Sequence, residues 1–292
     1  MGSKISVILM AYGTPERKED IEPYLKSIMH GKEVSQSAID SFIEKYESIG
    51  FSPLGRTTEK QAELLENRLK MNVAVGMKHW RPSIAEGITK LKALNSEKII
   101  GLVAHPFSSV AGSEEYKKIF DENAGGDGLF INNWHANEEL YKAWMEKISN
   151  KAQEFKDGNY YAIFSSHGLP LSVDDAEYKR QLFIFSEKLA HKSGIGEFCL
   201  AYQNGEHKAW YNPEVKDKLA ELANEGIRDI LIIPIGYISE SLETLYDIDI
   251  DYMRYAKRLG VNLKRVACPS TSESTINVMA EAVRQKLNEK NL

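Results

Sequence analysis

The chain has 292 residues, 42% of them hydrophobic and 27% charged, with 42 acidic and 37 basic side chains. At about 150 residues per domain, this length suggests two domains. The net charge of −5 argues against nucleic-acid binding, because such surfaces are normally basic. The cysteines, Cys199 and Cys268, are too few for a disulfide framework or a four-thiolate metal site. No apolar run approaches the roughly 18 residues of a membrane span, and residues 1–10 lack a signal-peptide pattern, so a cytoplasmic protein is expected.

The first half of the chain alternates short β-branched runs with longer helical patterns. In the helical pattern Thr58–Leu69, the residues Ala62, Leu65 and Leu69 share one face. The strands predicted here are Ile5–Met10, Asn72–Gly76, Ile99–Ala104 and Leu129–Asn133.

The second half has the same layout, with the helical pattern Pro213–Asn224 between its strands. The apolar run that starts at Ile230 is typical of a strand buried on both faces. Because strand–helix–strand alternation requires crossovers, both sheets are predicted to be parallel, with right-handed connections. The strands predicted here are Tyr160–Ser165, Glu197–Ala201, Asp229–Pro234 and Asn262–Ala267.

These patterns predict an α/β protein of two lobes, each a four-stranded parallel sheet flanked by helices. The helix Asn137–Phe155 and the turn after it mark the predicted boundary, which puts 1–156 in lobe one and 157–270 in lobe two. A last helix, Ser272–Leu287, is predicted to return to lobe one and to bring 271–292 with it. Strand ends that face each other would form one active-site cleft between the lobes.

Histidines and tyrosines follow nearly every predicted strand. Turn formation explains the glycines and prolines at these strand ends, but it does not explain the histidines and tyrosines. The chain has no GxGxxG, GxxxxGK[ST], GxSxG or HExxH motif, which removes the commonest functions of two-lobed α/β folds. The residues in question are Tyr12, His79, His105, His167, Tyr202 and Tyr237.

His167 lies in a short loop between the serines at 165–166 and Gly168. A neutral imidazole there could accept a proton or coordinate a metal, or it could be a hydrogen-bonded structural histidine. The histidines of helical and connecting segments are predicted to lie at the surface, and they are His30, His135, His191 and His207.

Three acids, Glu243, Asp247 and Asp251, fall at i, i+4 and i+8 and therefore along one face of a predicted helix. Like charges at this spacing destabilise a helix by a few tenths of a kcal/mol per pair, so a compensating cation is one interpretation. A solvated acidic face near a helix N-terminus is the other, and the spacing alone favours it. Asp249 lies off this face and is predicted to be a surface residue.

Taken together and in order, the motifs of this chain resemble the ferrochelatase family, which inserts Fe²⁺ into a porphyrin in the last steps of haem synthesis. The resemblance extends from Ile5 to Leu287. The motifs are Ala-Tyr-Gly-Thr-Pro (11–15), Ser-Pro-Leu (52–54), Met-Lys-His (77–79), Ser-Ser-His-Gly-Leu-Pro (165–170), Tyr-Gln-Asn (202–204), Trp-Tyr-Asn-Pro (210–213) and Pro-Ile-Gly-Tyr-Ile-Ser-Glu-Ser-Leu-Glu-Thr-Leu-Tyr-Asp (234–247).

The resemblance implies two Rossmann-like lobes, with the C-terminal helix returning to lobe one. It also implies that His167 and Glu243 are the catalytic residues and metal ligands. Asp247 and Asp251 continue the acidic line behind Glu243, in a helix that the family distorts with a π-type turn. Among the porphyrin contacts, the resemblance implies Tyr12, Ser52, His79 and Tyr116.

A porphyrin site also needs an apolar wall and partners for the carboxylates of the ring substituents. The aromatic residues available as a wall are Tyr12, Trp80, Tyr202, Trp210 and Tyr237. The cations and hydroxyl available for the carboxylates are Arg56, Lys78, Arg81 and Ser52.

The chain departs from the family pattern at two places. Tyr202 begins a motif that starts with tryptophan elsewhere in the family, so one porphyrin wall is smaller. His105 precedes Pro106 where the family has the proline first, which leaves His105 without an assigned role. The cysteine-bearing C-terminal extension of some members is lacking, so no iron–sulfur cluster is expected.

The predicted function is that of a ferrochelatase, a lyase that releases two protons as Fe²⁺ enters the ring. Tyr12, Ser52 and Tyr116 match the branch that uses coproporphyrin III, and protoporphyrin IX is the other candidate. Fe²⁺ is expected as a substrate, with no tightly bound cofactor, in a monomer. The alternatives are a cobalt or nickel chelatase of the same fold and a non-catalytic tetrapyrrole or metal carrier. The acidic line argues against the carrier, and the single histidine opposite the glutamate argues against the small cobalt chelatases.

Overall fold

A computed structural model describes the chain over residues 5–126, 128–156, 158–173, 175–204 and 209–291. The chain divides into two compact units, a first unit of Met1–Trp134 with Ser270–Leu292 and a second unit of His135–Pro269. Each unit holds one four-stranded sheet, in which all neighbouring strands run parallel. None of the helices within these ranges is long and apolar enough to cross a membrane.

Strands and helices alternate along both units. The strands are β1 (Ile5–Ala11), β2 (Val73–Met77), β3 (Lys98–Val103), β4 (Leu129–Ile131), β5 (Tyr161–His167), β6 (Glu197–Gln203), β7 (Asp229–Ile233) and β8 (Asn262–Arg265). The α-helices are α1 (Ile21–Ile28), α2 (Gln36–Ser48), α3 (Leu54–Leu69), α4 (Ile84–Ala93), α5 (Val110–Ala124), α6 (Glu138–Ala152), α7 (Ala176–Ser193), α8 (Val215–Asn224), α9 (Met253–Arg258) and α10 (Glu273–Glu289). A 3₁₀ turn, Lys18–Asp20, precedes α1, and a π-helix, Glu243–Tyr252, leads into α9.

The first sheet has the strand order β2–β1–β3–β4. Its central strand β1 contributes the fully buried run Val7–Met10 to the core. A capping box between Ser83 and Glu86 starts α4, which then packs against β2. At Gly87 of α4 an added Cβ would lie 2.5 Å from the carbonyl oxygen of Val75, so only glycine permits this close approach.

The C-terminal helix α10 packs in the first unit, against α3. The side chain of Gln61 in α3 donates to the carbonyl oxygen of Ser270 at 2.9 Å, and Arg68 pairs with Glu273 at 2.9 Å. The buried face of α10 includes Met279, which fills the core beside the sheet. The chain therefore ends in the unit where it begins.

The second sheet has the order β6–β5–β7–β8, with β5 at its centre. The run Ile230–Ile233 of β7 is fully buried, as its uninterrupted apolar sequence predicts. All eight predicted strands are present, with each end within two residues of its predicted position. The predicted class, two four-stranded parallel sheets flanked by helices, is confirmed.

The division between the units differs from the predicted one at 156. Helix α6 belongs to the second unit, and the boundary lies between Trp134 and His135. The apolar face of α6 packs on α7, where the rings of Tyr141 and Phe185 stack with centroids 4.6 Å apart. A turn in the sequence marks where a helix ends, but it does not show on which sheet the helix packs.

Candidate functional site

His167 is the last residue of β5, and its side chain is exposed. Its Nδ1 lies 2.6 Å from the carbonyl oxygen of Gly168. Because a carbonyl oxygen can only accept, Nδ1 must carry the proton of this hydrogen bond. In the neutral imidazole, Nε2 then keeps its lone pair, which can take up a proton or bind a metal. The Trp210 ring lies beside it, with centroids 5.4 Å apart.

The loop that follows His167 is held by antiparallel pairing with a second loop. The amide of Leu171 donates to the carbonyl oxygen of Ala209 at 2.9 Å, and the amide of Tyr211 donates to that of Leu169 at 3.0 Å. This pairing includes Trp210 and fixes its ring next to the histidine.

Gly168 is required by the close approach of Asn204. A Cβ at position 168 would lie 1.8 Å from Oδ1 of Asn204, which no side chain can occupy. Nδ2 of Asn204 donates to the carbonyl oxygen of Tyr211 at 2.5 Å, so the amide cannot swing away without losing that hydrogen bond. Oδ1 is buried and has no hydrogen-bond partner within the described residues. The amide therefore clamps the loop that carries the histidine.

Beneath the histidine loop lies a buried hydrogen-bond chain. Nε2 of Gln203 donates to Oγ of Ser165 at 2.9 Å, and the Tyr237 hydroxyl donates to Oε1 of Gln203 at 3.3 Å. Burial, together with the nearby carboxylates of Glu243 and Asp247, raises the pKa of Tyr237 well above its usual value. Tyr237 is therefore a neutral hydrogen-bond donor that lies near the start of the acidic line.

A second hydroxyl supports the backbone of the histidine itself. The Tyr178 hydroxyl donates to the carbonyl oxygen of His167 at 3.2 Å and lies 2.7 Å from Oγ of Ser166. Gly236 packs against this serine so closely that an added Cβ would meet its Oγ at 2.1 Å. The end of β5 is thus held from both sides.

The acidic residues lie on the π-helix Glu243–Tyr252, where the sequence pattern alone predicts an ordinary helix. Hydrogen bonds in a π-helix run from i to i+5, so each turn holds more residues than a turn of an α-helix. Residues four positions apart are then almost one full turn apart and lie on the same side of the helix. Glu243, Asp247 and Asp251 therefore stay on one side, and all three are half-buried. Oε2 of Glu243 accepts a hydrogen bond from Oγ of Ser241 at 2.5 Å.

The four predicted metal ligands do not form one closed ligand set. Over the described ranges, no group of three or more histidine, cysteine, aspartate or glutamate side chains is placed to hold a metal ion together. Asp251, at the far end of the line, is instead paired with Lys216 at 2.6 Å. The carboxylates lie one after another along the helix.

Asp249 is not the surface residue that its position off the acidic face predicts. Both of its oxygens accept hydrogen bonds from Arg265, at 2.7 Å each, and Nη1 of the same arginine donates to Glu240. Although burial opposes it, these two carboxylates raise the pKa of Arg265 above its usual value. Glu240 also accepts a hydrogen bond from the amide of Cys268 at 2.8 Å. The network ties the π-helix to β8 and to the loop before the helix.

In the first unit, Tyr12, His79 and Tyr116 gather round Lys78 at the ends of β1 and β2. The Lys78 ammonium lies 5.5 Å from the Tyr12 ring centroid and 5.2 Å from that of Tyr116. It pairs with Glu115 at 2.5 Å and is only 7% exposed. Lys78, which the sequence offers as a partner for substrate carboxylates, is therefore already neutralised by a carboxylate of its own chain.

Two histidines of this unit are held in the neutral form. Burial, and then the charge of Lys78, lowers the pKa of His79 to about 4. Its Nδ1 lies 3.2 Å from Oγ of Ser27, and its ring lies 4.7 Å from that of Tyr12. Burial likewise lowers the pKa of His105 to about 4, and its Nδ1 donates to the carbonyl oxygen of Phe107 at 2.8 Å.

The remaining predicted contacts of the first unit differ in their surroundings. Ser52 is buried, and its Oγ accepts a hydrogen bond from the amide of Leu54 at the start of α3. Arg56, one turn further on, is exposed. Arg81 is also exposed and lies 3.8 Å from Glu86.

Tyr202 in the second unit is buried rather than presented at a surface. Its ring meets that of Tyr211 edge-on at 5.3 Å, and burial raises its pKa to about 12. Of the histidines predicted to be superficial, His135 is half-buried, and burial lowers its pKa. His207 lies outside the described residues. The other two, His30 and His191, are exposed.

Three charged residues that shape these clusters are not predicted from the sequence, namely Glu115, Lys216 and Arg265. Arg265 had a detectable signal, because a charge inside a strand predicted to be buried needs a partner. Glu115 and Lys216 had none, since each is one of several charges on its helix and the sequence does not show which of them reaches another element.

Comparison with solved structures identifies the class of the fold. SirB from Bacillus subtilis with Fe³⁺ aligns with a TM-score of 0.65 at 11% identity, over 99% of this chain and 98% of that chain. The sirohydrochlorin chelatase SirB from Bacillus subtilis subspecies spizizenii in complex with cobalt aligns with a TM-score of 0.61, also at 11% identity, over 99% of this chain and 97% of that chain. The chain has the two-unit α/β fold of the chelatases.

The family model for ferrochelatase matches residues 4–287, and the chain belongs to the ferrochelatase family. The coproporphyrin III ferrochelatase of Halalkalibacterium halodurans is 29% identical over an alignment of 305 positions, gaps included, which covers 98% of each chain. The ferrochelatase of Thermus thermophilus is 28% identical, over 96% of this chain and 98% of its own. The protein is therefore a metal chelatase, a lyase of porphyrin and haem biosynthesis that inserts a metal ion into a porphyrin.

Proposed function

We propose that this enzyme inserts Fe²⁺ into coproporphyrin III and releases the two pyrrole protons. The observation that carries the proposal is the hydrogen bond of His167, whose Nδ1 proton is held by the Gly168 carbonyl. Nε2 is thereby left as a base on an exposed side chain at the end of a rigid strand. A positioned base of this kind contributes about 10²- to 10⁴-fold to a rate.

His167 takes the two pyrrole protons from the macrocycle one after the other as the metal enters, and it passes each to solvent through its exposed side chain. The backbone carbonyl fixes the tautomer, the paired loops hold Trp210 against the ring, and the clamp at Asn204 limits movement of the loop. A base held in this way does not have to reorient before each transfer, which lowers the entropic cost of the step.

The acidic line delivers the iron. Carboxylate oxygens bind divalent iron, and they release it more readily than a closed nitrogen or sulfur cage would. Glu243, Asp247 and Asp251 stand in series along the π-helix, so we propose that they are successive positions for Fe²⁺. Glu243, the first of them, transfers the ion to the ring.

The first unit holds the porphyrin substituents. Tyr12, which is 40% exposed, supplies aromatic surface and the exposed Arg56 supplies a cation, while His79, Tyr116 and Ser52 are buried and support these contacts. Coproporphyrin carries four propionates where protoporphyrin carries two. Because a buried carboxylate without a partner costs several kcal/mol, a site for coproporphyrin must offer polar partners to two more carboxylates. The relatives named for coproporphyrin III support this choice of substrate.

Anaerobic insertion assays with each porphyrin, and with both in competition at equal concentration, test the substrate. We expect a higher specificity constant for coproporphyrin III, and a higher one for protoporphyrin IX would reject the preference without touching the chelatase chemistry. Parallel assays with Co²⁺ and Ni²⁺ test the metal. A specificity constant for either above that for Fe²⁺ would reject iron as the substrate.

The proposal includes a monomeric enzyme without a tightly bound cofactor or iron–sulfur cluster, in which Fe²⁺ enters only as substrate. Light scattering on the purified protein tests the first part. Metal and sulfide analysis, followed by assay of chelator-treated enzyme, tests the second, and we expect full activity after treatment.

A further inference from the structure

The acidic line ends on a lysine. Nζ of Lys216, in the first turn of α8, lies 2.6 Å from Oδ2 of Asp251, and the two side chains are 33% and 36% exposed. The same ammonium lies 5.7 Å from the ring centroid of Tyr252. A cation of the chain's own thus occupies the last carboxylate of the proposed metal route.

The position of this lysine is fixed by a separate contact between the two helices. Glu214 caps α8 by accepting from the amide of Lys216 at 2.6 Å, and its other oxygen accepts from the hydroxyl of Tyr252 at 3.3 Å. One carboxylate therefore joins the start of α8 to the end of the π-helix. The hydrogen bonds of Glu214, together with the ion pair itself, therefore place Lys216 opposite Asp251.

A second lysine on the same helix has its partner within that helix. Lys218 pairs with Glu221 three residues later, at 2.6 Å, within α8 itself. Such i,i+3 pairs join neighbours on one helix. Lys216 differs because it reaches to another element and to a residue of the acidic line.

We propose that Lys216 sets the metal affinity of the route, as a built-in cation that an incoming divalent ion must displace from Asp251. The inference rests on the proposed function, since it takes Asp251 as a position for the metal. The ammonium occupies the carboxylate while no metal is bound, and it moves into solvent when the ion arrives. Asp251 then binds the metal ion only briefly, so the ion moves along the acidic line and does not stay bound at its end.

Displacement is feasible because the pair is partly solvated. Ion pairs at such exposure contribute about 1 kcal/mol or less, whereas a divalent cation interacts with the carboxylate more strongly than a monovalent one does. Removing the ammonium should tighten metal binding about fivefold. Keeping the charge with arginine should leave it close to the parent value.

Calorimetric titration of the porphyrin-free, full-length enzyme with Co²⁺ tests the proposal without any turnover. The variants are Lys216→Met, Lys216→Arg, Asp251→Asn and the double variant Lys216→Met/Asp251→Asn, with Lys218→Met as the matched control. We expect tighter binding only in Lys216→Met, weaker binding in Asp251→Asn, and no gain from the lysine change once the aspartate is gone. Thermal melting verifies that each variant is folded.

Equal or weaker Co²⁺ binding by folded Lys216→Met would overturn the proposal, as would the same gain in Lys218→Met or in the double variant. The KM for Fe²⁺ provides a second readout, and we expect it to fall about fivefold in Lys216→Met without a rise in kcat. Failure of the proposed function is distinguishable, because it would appear as a parent enzyme that inserts Fe²⁺ into neither porphyrin.

Discussion

Each unit sets a lysine against a carboxylate, but water reaches the two pairs to different extents. Lys78 is 7% exposed between two tyrosine rings, while Lys216 is 33% exposed at the end of the π-helix; their carboxylate partners, Glu115 and Asp251, are 33% and 36% exposed, so the pairs differ in the burial of the ammonium. Breaking a buried pair by removing one partner costs about 3–5 kcal/mol, whereas an exposed pair is worth about 1 kcal/mol or less. The same two chemical groups therefore form a fixed support in the first unit and an exchangeable contact in the second.

The surroundings of the two ion pairs differ as well. In the first unit the ion pair positions the rings of Tyr12 and Tyr116, and the neighbouring histidines are held neutral. In the second unit His167 is exposed, and Glu243, Asp247 and Asp251 are half-buried. We therefore expect substitutions at the Lys78–Glu115 pair to act mainly on stability, and those at His167 and the three acids to act mainly on turnover and metal binding.

The largest effect is expected at His167. Replacing it with alanine should lower kcat about 10²- to 10⁴-fold, because the base is lost, while the porphyrin dissociation constant and the unfolding free energy change little. Anaerobic insertion assays, fluorescence titration with porphyrin and urea unfolding measure the three quantities. His191→Ala, on the exposed face of α7, is the control. Turnover above a tenth of the parent value would show that His167 is not the base.

Isosteric substitutions test whether the two ion pairs contribute differently to stability. Glu115→Gln leaves Lys78 buried with a neutral partner and should lower the unfolding free energy by about 2 kcal/mol, less than in a fully buried pair because Glu115 is itself 33% exposed. Asp251→Asn makes the same kind of change at the solvated pair and should cost about 1 kcal/mol or less. Urea unfolding of both variants at pH 7 provides the measurement. Equal losses in the two variants would remove the distinction.

The pH dependence of stability tests whether the two histidines of the first unit are held neutral. His79 and His105 have folded-state pKa values of about 4, below the value of about 6.5 expected in the unfolded chain. Between pH 6.5 and 4 the unfolded state takes up protons that the folded state does not, so stability is complete above pH 6.5 and falls with decreasing pH. Each histidine contributes about 3 kcal/mol to this loss.

Urea unfolding at intervals from pH 7.5 to 4 measures this slope. We expect His105→Gln to have a shallower slope than the parent, and His191→Gln, at an exposed site, to keep the parent slope. An unchanged slope in His105→Gln would show that burial does not hold this histidine neutral.

A further effect is expected at the Asn204 clamp of the loop that follows His167. Gly168→Ala forces its Cβ against Oδ1 of Asn204, and overpacking of this kind costs about 1–3 kcal/mol. Gly196→Ala is the matched control, because nothing lies within 4 Å of an added Cβ there. Unfolding free energy and kcat are measured for both. A Gly168→Ala enzyme with the stability and turnover of the control would mean that the loop is not clamped.

The sequence by itself was enough to predict the strands, the class and the family. The run at Ile230–Ile233 is typical of a strand buried on both faces, because a half-exposed strand would alternate. His167 is a candidate because ligands of parallel sheets gather where strands end. These properties are local, so they can be read from residue type and spacing.

The charge pairs, and the sheet on which each helix packs, were decided only by the tertiary structure. Asp249 looked superficial until Arg265 was seen to reach it from β8, and Lys78 looked available until Glu115 was found beside it. Helix α6 likewise has an apolar face in sequence, but it is the contact of Tyr141 with Phe185 that places it in the second unit. The physical reason is that the energy of a charge depends on distance and burial. Both are set by elements far apart in the chain, while periodicity reports only which face of each element is apolar.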